Sequence, residues 1–468
     1  MEIKNTKVVV VGAGLVGTLV SIFLSRQGVS STLIERRKDL RRELTGGGRS
    51  INLAISTRGL SALREVGLEQ EVLTQALPMK GRMIHSLTGD LHFQPYGAKD
   101  SDCIYSLSRT VLNQILLTAA EKTGNISIRF HQKVLNLDLT KPQIWMRDEA
   151  TGDTSTLVPD IIIGADGSYS IVRNELKNCI AMEHSQESPD YAYKELLLPS
   201  RPGGGSFFDP TALHIWPRGN YMLIALPNLD GSFTCTLFLP YFGSTSFDSL
   251  KSADEVNTFF NQQFSDITPL FPSLTETFLS SPVGSMLTLK CSPWHYQGKA
   301  LLIGDAAHAI LPFFGQGMNC GFEDCSVLNQ LFKTESSWEN IFSKFSSLRK
   351  SQADAIADMA CENFVEMRDK VALPRFHLEK AVEKVLLEKF PGSYYSRYSL
   401  VTFSNRPYRF AHAVGRVTDQ ILVELCADIE SASQVDLRRA ETLIQSRLSP
   451  LFDAENSPDS PFRIPFVS

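Results

Sequence analysis

With 468 residues, 43% of them hydrophobic and 21% charged, the chain is long enough for two or three domains and has the composition of a globular protein. A net charge of -5 without any basic block argues against a nucleic-acid partner, and no apolar run approaches the roughly 18 residues of a membrane span. Eight cysteines show neither CxxC spacing nor Cys–His clustering, so they read as free thiols in a reducing, cytoplasmic setting, and no metal site is expected.

The run Val8 to Val11 is β-branched throughout and predicts a buried strand. Gly12-Ala13-Gly14-Leu15-Val16-Gly17 follows it. Gly12 suits a tight turn, Gly14 admits a pyrophosphate to the backbone, and Gly17 lets a helix pack on the sheet. That helix runs through Leu19, Ile22, Phe23 and Leu24 to about Gln27, and Gly28 ends it. A second strand, 32–34, delivers Glu35 18 residues after Gly17, the spacing of an acid that binds a ribose hydroxyl. This order points to an adenine-dinucleotide site; the plain alternative is an ordinary buried βαβ unit. The fingerprint by itself does not separate NAD from FAD.

Arg82 and Tyr96 flank a Thr88-Gly89-Asp90 turn. A three-residue hairpin loop there sets Arg82 opposite Tyr96 on one face; a two-residue loop would set Pro95 there instead. A planar guanidinium suits a carboxylate ligand, and Tyr hydroxyls or an Asn amide complete such a site without adding charge. The plain readings are an exposed strand charge and an amphipathic core tyrosine. His85 and His92 are expected beside the Arg82 site or at the surface. Arg109 opens a helix with Leu112, Ile115, Leu116 and Ala119 on one face.

Two later strands end in acids. Asp160 to Ile163 leads into Gly164-Ala165-Asp166-Gly167, and Ala300 to Ile303 leads into Gly304-Asp305 and on to Pro312-Phe313-Phe314-Gly315-Gln316-Gly317-Met318-Asn319. Such positions are where α/β sheets bind ligands, and glycine-rich turns before helices offer N–H groups to phosphate. Helix signals run from Asn319 through Leu328, and His308 reads as a structural histidine. Between them, 221–226 and 233–239 predict two strands joined at Pro227-Asn228-Leu229-Asp230-Gly231-Ser232. Met222, Ile224 and Leu226 share one face, as do Thr236 and Phe238, yet the odd positions are apolar too. Periodicity leaves open which face is core. Asn363 and Met367, at i and i+4 on a helix, are placed to face one cavity, and Tyr398 lies in an aromatic stretch with Tyr394 and Tyr395.

The three nucleotide motifs together resemble the class A flavoprotein aromatic hydroxylases, over about residues 1–335. The resemblance implies an α/β, α+β overall, architecture: a Rossmann-like FAD-binding domain of p-hydroxybenzoate hydroxylase type, a β-sheet substrate domain and a helical C-terminal region. It implies one tightly bound FAD, with NADPH as a transient cosubstrate lacking a domain of its own. The implied FAD contacts are Gly12, Gly14, Val16, Gly17, Glu35, Arg36, Arg37, Ala54, Arg109, Asp166, Gly167, Asp305, Gly317, Met318 and Asn319, with Asp166-Gly167 also serving the pyridine nucleotide.

Lys80 to His85, Pro95-Tyr96-Gly97, Leu311 to Asn319, Glu362 to Met367 and Tyr395 to Phe403 extend the likeness to the kynurenine-hydroxylating branch of that family. This narrower resemblance implies that L-kynurenine is hydroxylated to 3-hydroxykynurenine with O2 through a flavin hydroperoxide, in tryptophan catabolism, so no protein group is expected as a catalytic acid or base. It assigns the amino-acid end to Arg82, Tyr96, Asn363 and Tyr398. It assigns the ring end to Leu213, Met222, Ile224, Leu226, Thr236, Phe238, Phe313 and Met367. The loop with Pro312, Phe313 and Gln316 is the expected gate for flavin reduction. The rival readings are a hydroxylase of another aromatic acid and a non-catalytic FAD-bound sensor. The expected divisions are 1–70, 98–182 and 285–335 for FAD, 71–97 and 183–284 for the substrate sheet, 336–448 for a helical region, and 449–468 for a loosely ordered tail. Animal members add an apolar C-terminal segment; here Pro461 to Ser468 is short and proline-broken, so a form without a membrane anchor, of bacterial type, is expected, with a homodimer possible in principle.

Overall fold

A computed structural model describes residues 3–42, 52–97, 99, 101–370, 373–457, 460 and 462. The chain forms two compact units. The first comprises 1–75, 107–187 and 287–357; the second comprises 76–106, 188–286 and 358–468. The long helix Trp338–Val365 thus contributes its two ends to different units, whereas a separate helical region was expected from 336.

The core of the first unit is a six-stranded sheet in the order His295–Tyr296, Ala300–Leu302, Ile161–Gly164, Val8–Val11, Ser31–Ile34, Ile126–Arg129. All neighbours are parallel except the short first strand. The strands flanking Val8–Val11 are buried and rich in β-branched residues, as a sheet covered on both faces requires. Because Val11 pairs with Gly164 and Gly164 with Leu302, the three glycine- and acid-bearing turns emerge side by side at one edge. The helix Leu15–Arg26 begins at Gly14, and Gly28 turns the chain with φ 80°. These elements match the expected strand, helix and strand closely.

The second unit is built on a seven-stranded sheet, Gly284–Ser285, Tyr191–Leu198, Phe233–Pro240, Met222–Pro227, Ala212–Pro217, Gly81–His85, Leu91–Pro95. Its cross-strand registers run Ile84 to Ile215, Ile215 to Ile224, and Ile224 to Thr236. Alternation then divides the two faces. Leu223, Ala225, Cys235, Leu237 and Trp216 point to one side and pack with Val256, Phe260, Phe264 and Phe278 of the helices Ala253–Gln263 and Leu274–Ser280 and the segment between them. That odd face is the core. The even face carries Arg82, Leu213, Met222, Ile224, Leu226, Thr236 and Phe238; none belongs to that cluster, although Met222, Leu226 and Phe238 are buried as well.

Two local expectations are corrected. Arg82 pairs with Gln94, not with Tyr96. The hairpin closes over Leu87-Thr88-Gly89, because the Ser86 N–H donates to Asp90 O and the Asp90 carboxylate accepts from the Thr88 hydroxyl. The register is therefore displaced by two residues, which preserves the face. The stretch 449–456, expected to be loose, is the helix Ser449–Asn456, whose Phe452 packs on Tyr395 and Phe410. Residues 463–468 lie outside the described residues. Among the described residues no helix is long and apolar enough to cross a membrane.

Candidate functional site

In the first unit, the Gly12 turn has the geometry of a dinucleotide cradle. Gly12 has φ 101°, and a Cβ at Gly17 would lie 1.9 Å from Gly12 O, so both positions require glycine. At Gly14, by contrast, a Cβ would meet no atom within 4 Å. That open space lies at the start of the helix, where N–H groups await an anion. Glu35 is buried at the end of its strand, and its Oε2 accepts the Ala13 N–H at 3.0 Å. Burial opposes its ionisation, but hydrogen bonds and charge from Arg37, with the Ala13 N–H, hold its carboxyl below the usual value. Arg36 is exposed beside it.

The neighbouring turns complete the cradle. Asp166 Oδ2 accepts the Ile171 N–H at 2.8 Å, while its buried Oδ1 has no partner among the described residues. Burial raises its pKa against those hydrogen bonds. Gly167 has φ 80° and open space around its α-carbon. Asp305 is exposed at the first turn of Asp305–His308, and Val16 packs against Gly304. Asn113, one turn after the exposed Arg109, donates to Ala13 O at 3.1 Å, so its helix lies against the Gly12 turn. The open position at Gly14, the orphaned Asp166 oxygen and the acid at Glu35 fit an adenine dinucleotide.

The helix Gly317–Thr334 begins in the same unit. The Asn319 amide is spent within the protein. It accepts from Ser56 N at 3.0 Å and donates to Ala54 O at 2.9 Å and Gly315 O at 2.8 Å. Gly317, Met318 and Asn319 can offer a cofactor only first-turn backbone N–H groups and, for Met318, its side chain. Gln316 reaches Ser56 Oγ at 3.5 Å, and Phe313 is buried in the turn Pro312–Phe314. His308 is structural: its Nε2 meets Asp324 Oδ2 at 2.6 Å. Arg349 bridges Asp324 and Glu323, each at 2.7 Å, and Glu323 also takes Arg58 at 2.6 Å.

In the second unit, the even sheet face carries a polar socket. The Arg82 guanidinium lies 5.7 Å from the Tyr96 ring centre and 5.1 Å from that of Tyr398. Those rings stack at 5.1 Å. Arg82 Nε and the Tyr96 hydroxyl are buried with no hydrogen-bond partner among the described residues. Burial opposes the Arg82 charge, yet its pKa is raised, with the Tyr398 and Tyr96 oxygens and the Glu366 carboxylate near it. Burial pushes the Tyr96 and Tyr398 phenols up, so both remain neutral donors at physiological pH. Asn363 and Met367 are buried together, with Nδ2 to Sδ 3.5 Å. An ion pair of Glu362 with Arg397 ties their helix to that of Tyr398. Phe364 stacks edge-on against Tyr191, beside the Phe238 end of the sheet.

The structure thus brings Arg82, Tyr96, Tyr398, Asn363, Met367 and the even-face apolar residues into one unit. Pro312, Phe313 and Gln316 belong to the other. Glu366 escaped the sequence reading; an acid three residues after Asn363 is a signal only once Arg82 is known to feel its charge. His92 is exposed, but His85 is not at the site or the surface: it is buried on the opposite sheet face against Asp266 and His214.

The profile of the family described as FAD binding domain matches residues 5–193 and 285–355. A kynurenine 3-monooxygenase of Myxococcus xanthus is 55% identical over 449 residues, covering 96% of this chain and 97% of that protein. One of Dictyostelium discoideum is 41% identical, covering 95% and 99%. Among solved structures, 2-methyl-3-hydroxypyridine-5-carboxylic acid oxygenase superposes with a TM-score of 0.64 at 19% identity, over 80% of this chain and 95% of that one. At that identity the likeness establishes the fold.

Proposed function

The chain belongs to the kynurenine 3-monooxygenase family, and from that premise we propose how its own residues serve the reaction. The protein is an FAD-dependent monooxygenase that consumes NADPH and O2 and hydroxylates L-kynurenine to 3-hydroxykynurenine. FAD, when bound, supplies the redox chemistry, accepting a hydride from NADPH and delivering one oxygen atom from O2 to the ring. The protein binds, orients and excludes water.

The Arg82 socket carries this reading. A half-buried guanidinium and a neutral phenol, each with a polar atom unpartnered among the described residues, suit the α-carboxylate of an amino acid. Tyr398 and Asn363 complete the polar end, and Glu366 supplies negative charge for the ammonium. The aromatic ring then lies along Leu213, Met222, Ile224, Leu226, Thr236 and Phe238, beside Met367. Gly12, Gly14, Val16 and Gly17 would hold the FAD pyrophosphate, with Arg109 nearby. Glu35 would bind the adenosine ribose, flanked by Arg36 and Arg37. Asp305 would take the ribityl chain, and Ala54, Asp166, Gly167 and 317–319 would contact the rest. The loop with Pro312, Phe313 and Gln316 would gate flavin reduction. Eight cysteines, none of them in a disulfide, support a cytoplasmic setting.

The test is NADPH oxidation by the FAD-loaded protein with and without L-kynurenine, with product mass. Stimulation with a product one oxygen heavier is expected. Stimulation yielding only peroxide would remove kynurenine as the substrate.

A further inference from the structure

Behind Arg82, on the core face of the same sheet, four polar groups form one continuous chain. Asp266 Oδ2 meets His85 Nδ1 at 2.8 Å, His85 Nε2 meets His214 Nδ1 at 2.9 Å, and His214 Nε2 meets the Asp209 carbonyl at 2.9 Å. Both imidazoles are buried, and His85 stacks on Trp216 at 3.9 Å. The Trp216 indole N–H points at Asp266, at 3.0 and 2.8 Å from its two oxygens.

Hydrogen-bond arithmetic determines the proton count. A carbonyl only accepts, so His214 Nε2 carries a proton. The link between Asp266 and His85 needs one proton, and the link between the imidazoles needs one more. Three links therefore hold three protons. An ionised carboxylate with two neutral imidazoles has only two. The trio holds one extra proton and is neutral as a whole: in effect a carboxylate, an imidazolium and an imidazole. Burial pushes His214 down to about 4, so the charge is disfavoured on that ring.

We propose that Asp266, His85 and His214 share this one proton, and that the bond it makes ties the strand Gly81–His85 to the strand Ala212–Pro217 behind Arg82, so that the three act as positioning residues for the substrate. His85 is three residues from Arg82, and His214 adjoins Leu213, which pairs with Arg82. When the shared proton is lost, two nitrogen lone pairs face each other at the imidazole link, and the tie becomes a repulsion. The charged groups acting on His214 are Asp209 and Asp266, with Arg218 facing Asp266. Arg218 donates to His85 O at 3.0 Å and feels the Asp266 charge. Phe208 and Phe233 fill the remaining sides of His214. Asp266 is 29% exposed, which gives the buried pair a route for exchange with solvent. The role in substrate binding rests on Arg82 being the carboxylate ligand; the shared proton does not.

The experiment follows Trp216 fluorescence, isolated by subtracting a Trp216→Phe variant, and the L-kynurenine dissociation constant of the FAD-loaded protein, from about pH 5 to about pH 9, the span over which histidine titrates. An imidazolium stacked on an indole quenches it, so emission is expected to rise through one midpoint as the proton leaves. Affinity is expected to be full below that midpoint and to weaken about fivefold above it, the scale of one lost hydrogen bond. In Asp266→Asn the midpoint is expected to fall by about one unit or more, because the carboxylate that favours the cation is gone. A Trp216 signal without a midpoint overturns the shared proton, as does an unmoved midpoint in a folded Asp266→Asn. If that variant does not fold, the wild-type titration decides alone. A titrating Trp216 with a flat kynurenine constant overturns the positioning role. A titrating Trp216 in a protein that binds no kynurenine at any pH removes the Arg82 reading and the positioning role with it, while the shared proton stands.

Discussion

Replacing Arg82 by alanine removes, among the described residues of the even sheet face, the one group that can bind a carboxylate through two parallel hydrogen bonds. The magnitude follows from its setting. An exposed ion pair contributes up to about 1 kcal/mol, whereas breaking a buried one costs about 3–5 kcal/mol. Arg82 is only partly exposed, and aromatic rings 5.7 and 5.1 Å away shield its guanidinium from water. Among the described residues its Nε has no hydrogen-bond partner to compete with a ligand. The loss of substrate binding should therefore lie near the lower end of the buried range, about 3 kcal/mol, or about 150-fold in the dissociation constant. Arg82→Lys keeps the charge and loses the fork, so it should fall between the two. Titrating L-kynurenine into FAD-loaded protein and following the flavin spectrum measures each constant. FAD content and melting temperature should not change, since the residue lies in the second unit and its guanidinium lacks a fixed partner at Nε. A dissociation constant for Arg82→Ala within a few-fold of wild type would refute the argument.

Other perturbations probe the remaining groups. In Gly17→Ala the new methyl would sit 1.9 Å from Gly12 O, a backbone clash that cannot relax locally; a colourless protein is expected, and full FAD retention would contradict it. Glu35→Gln should weaken FAD about tenfold, the scale of one charge-assisted hydrogen bond, as read by equilibrium dialysis. Glu35 has a depressed pKa in the folded protein, so its stabilising effect is complete above its ordinary 4.5 and fades as pH falls through the lower folded value. The acid limb of wild-type stability should therefore flatten in Glu35→Gln. Asp324→Ala strands the buried cations His308 and Arg349 and should cost about 4 kcal/mol in denaturant unfolding. The Asp324 carboxylate raises the His308 pKa against burial. That ion pair thus stabilises fully below the ordinary histidine value of 6.5 and is lost as pH rises through the higher folded value. A cost below about 1 kcal/mol would show that the two cations find other partners.

The nucleotide half of the molecule was legible because its information is local. Four β-branched residues, three spaced glycines and an acid at the end of the next strand are each set by neighbours in the chain, and the structure places every one where the spacing predicts. The acids of the later strands were legible for the same reason. The second unit was legible only in part. Strand parity placed Arg82 and Tyr96 on one face even though the register was displaced by two residues, because a side-chain period of two is indifferent to that displacement. The Asn363–Met367 spacing survived the change from α-helix to a π turn at Glu366–Lys370, since both residues remain neighbours across one turn.

By itself, then, the sequence determined the dinucleotide turn, the strands that carry it and the residue types able to meet a carboxylate and an aromatic ring. Tertiary structure decided which apolar face is core. Both faces of 222–226 and 233–239 are apolar, and it is the packing of the helices Ala253–Gln263 and Leu274–Ser280 on the odd residues that assigns those to this core cluster. It also decided the fate of His85. Its partners lie 129 and 181 residues away in the chain, so their meeting depends on strand pairing across the whole sheet, which no local pattern encodes.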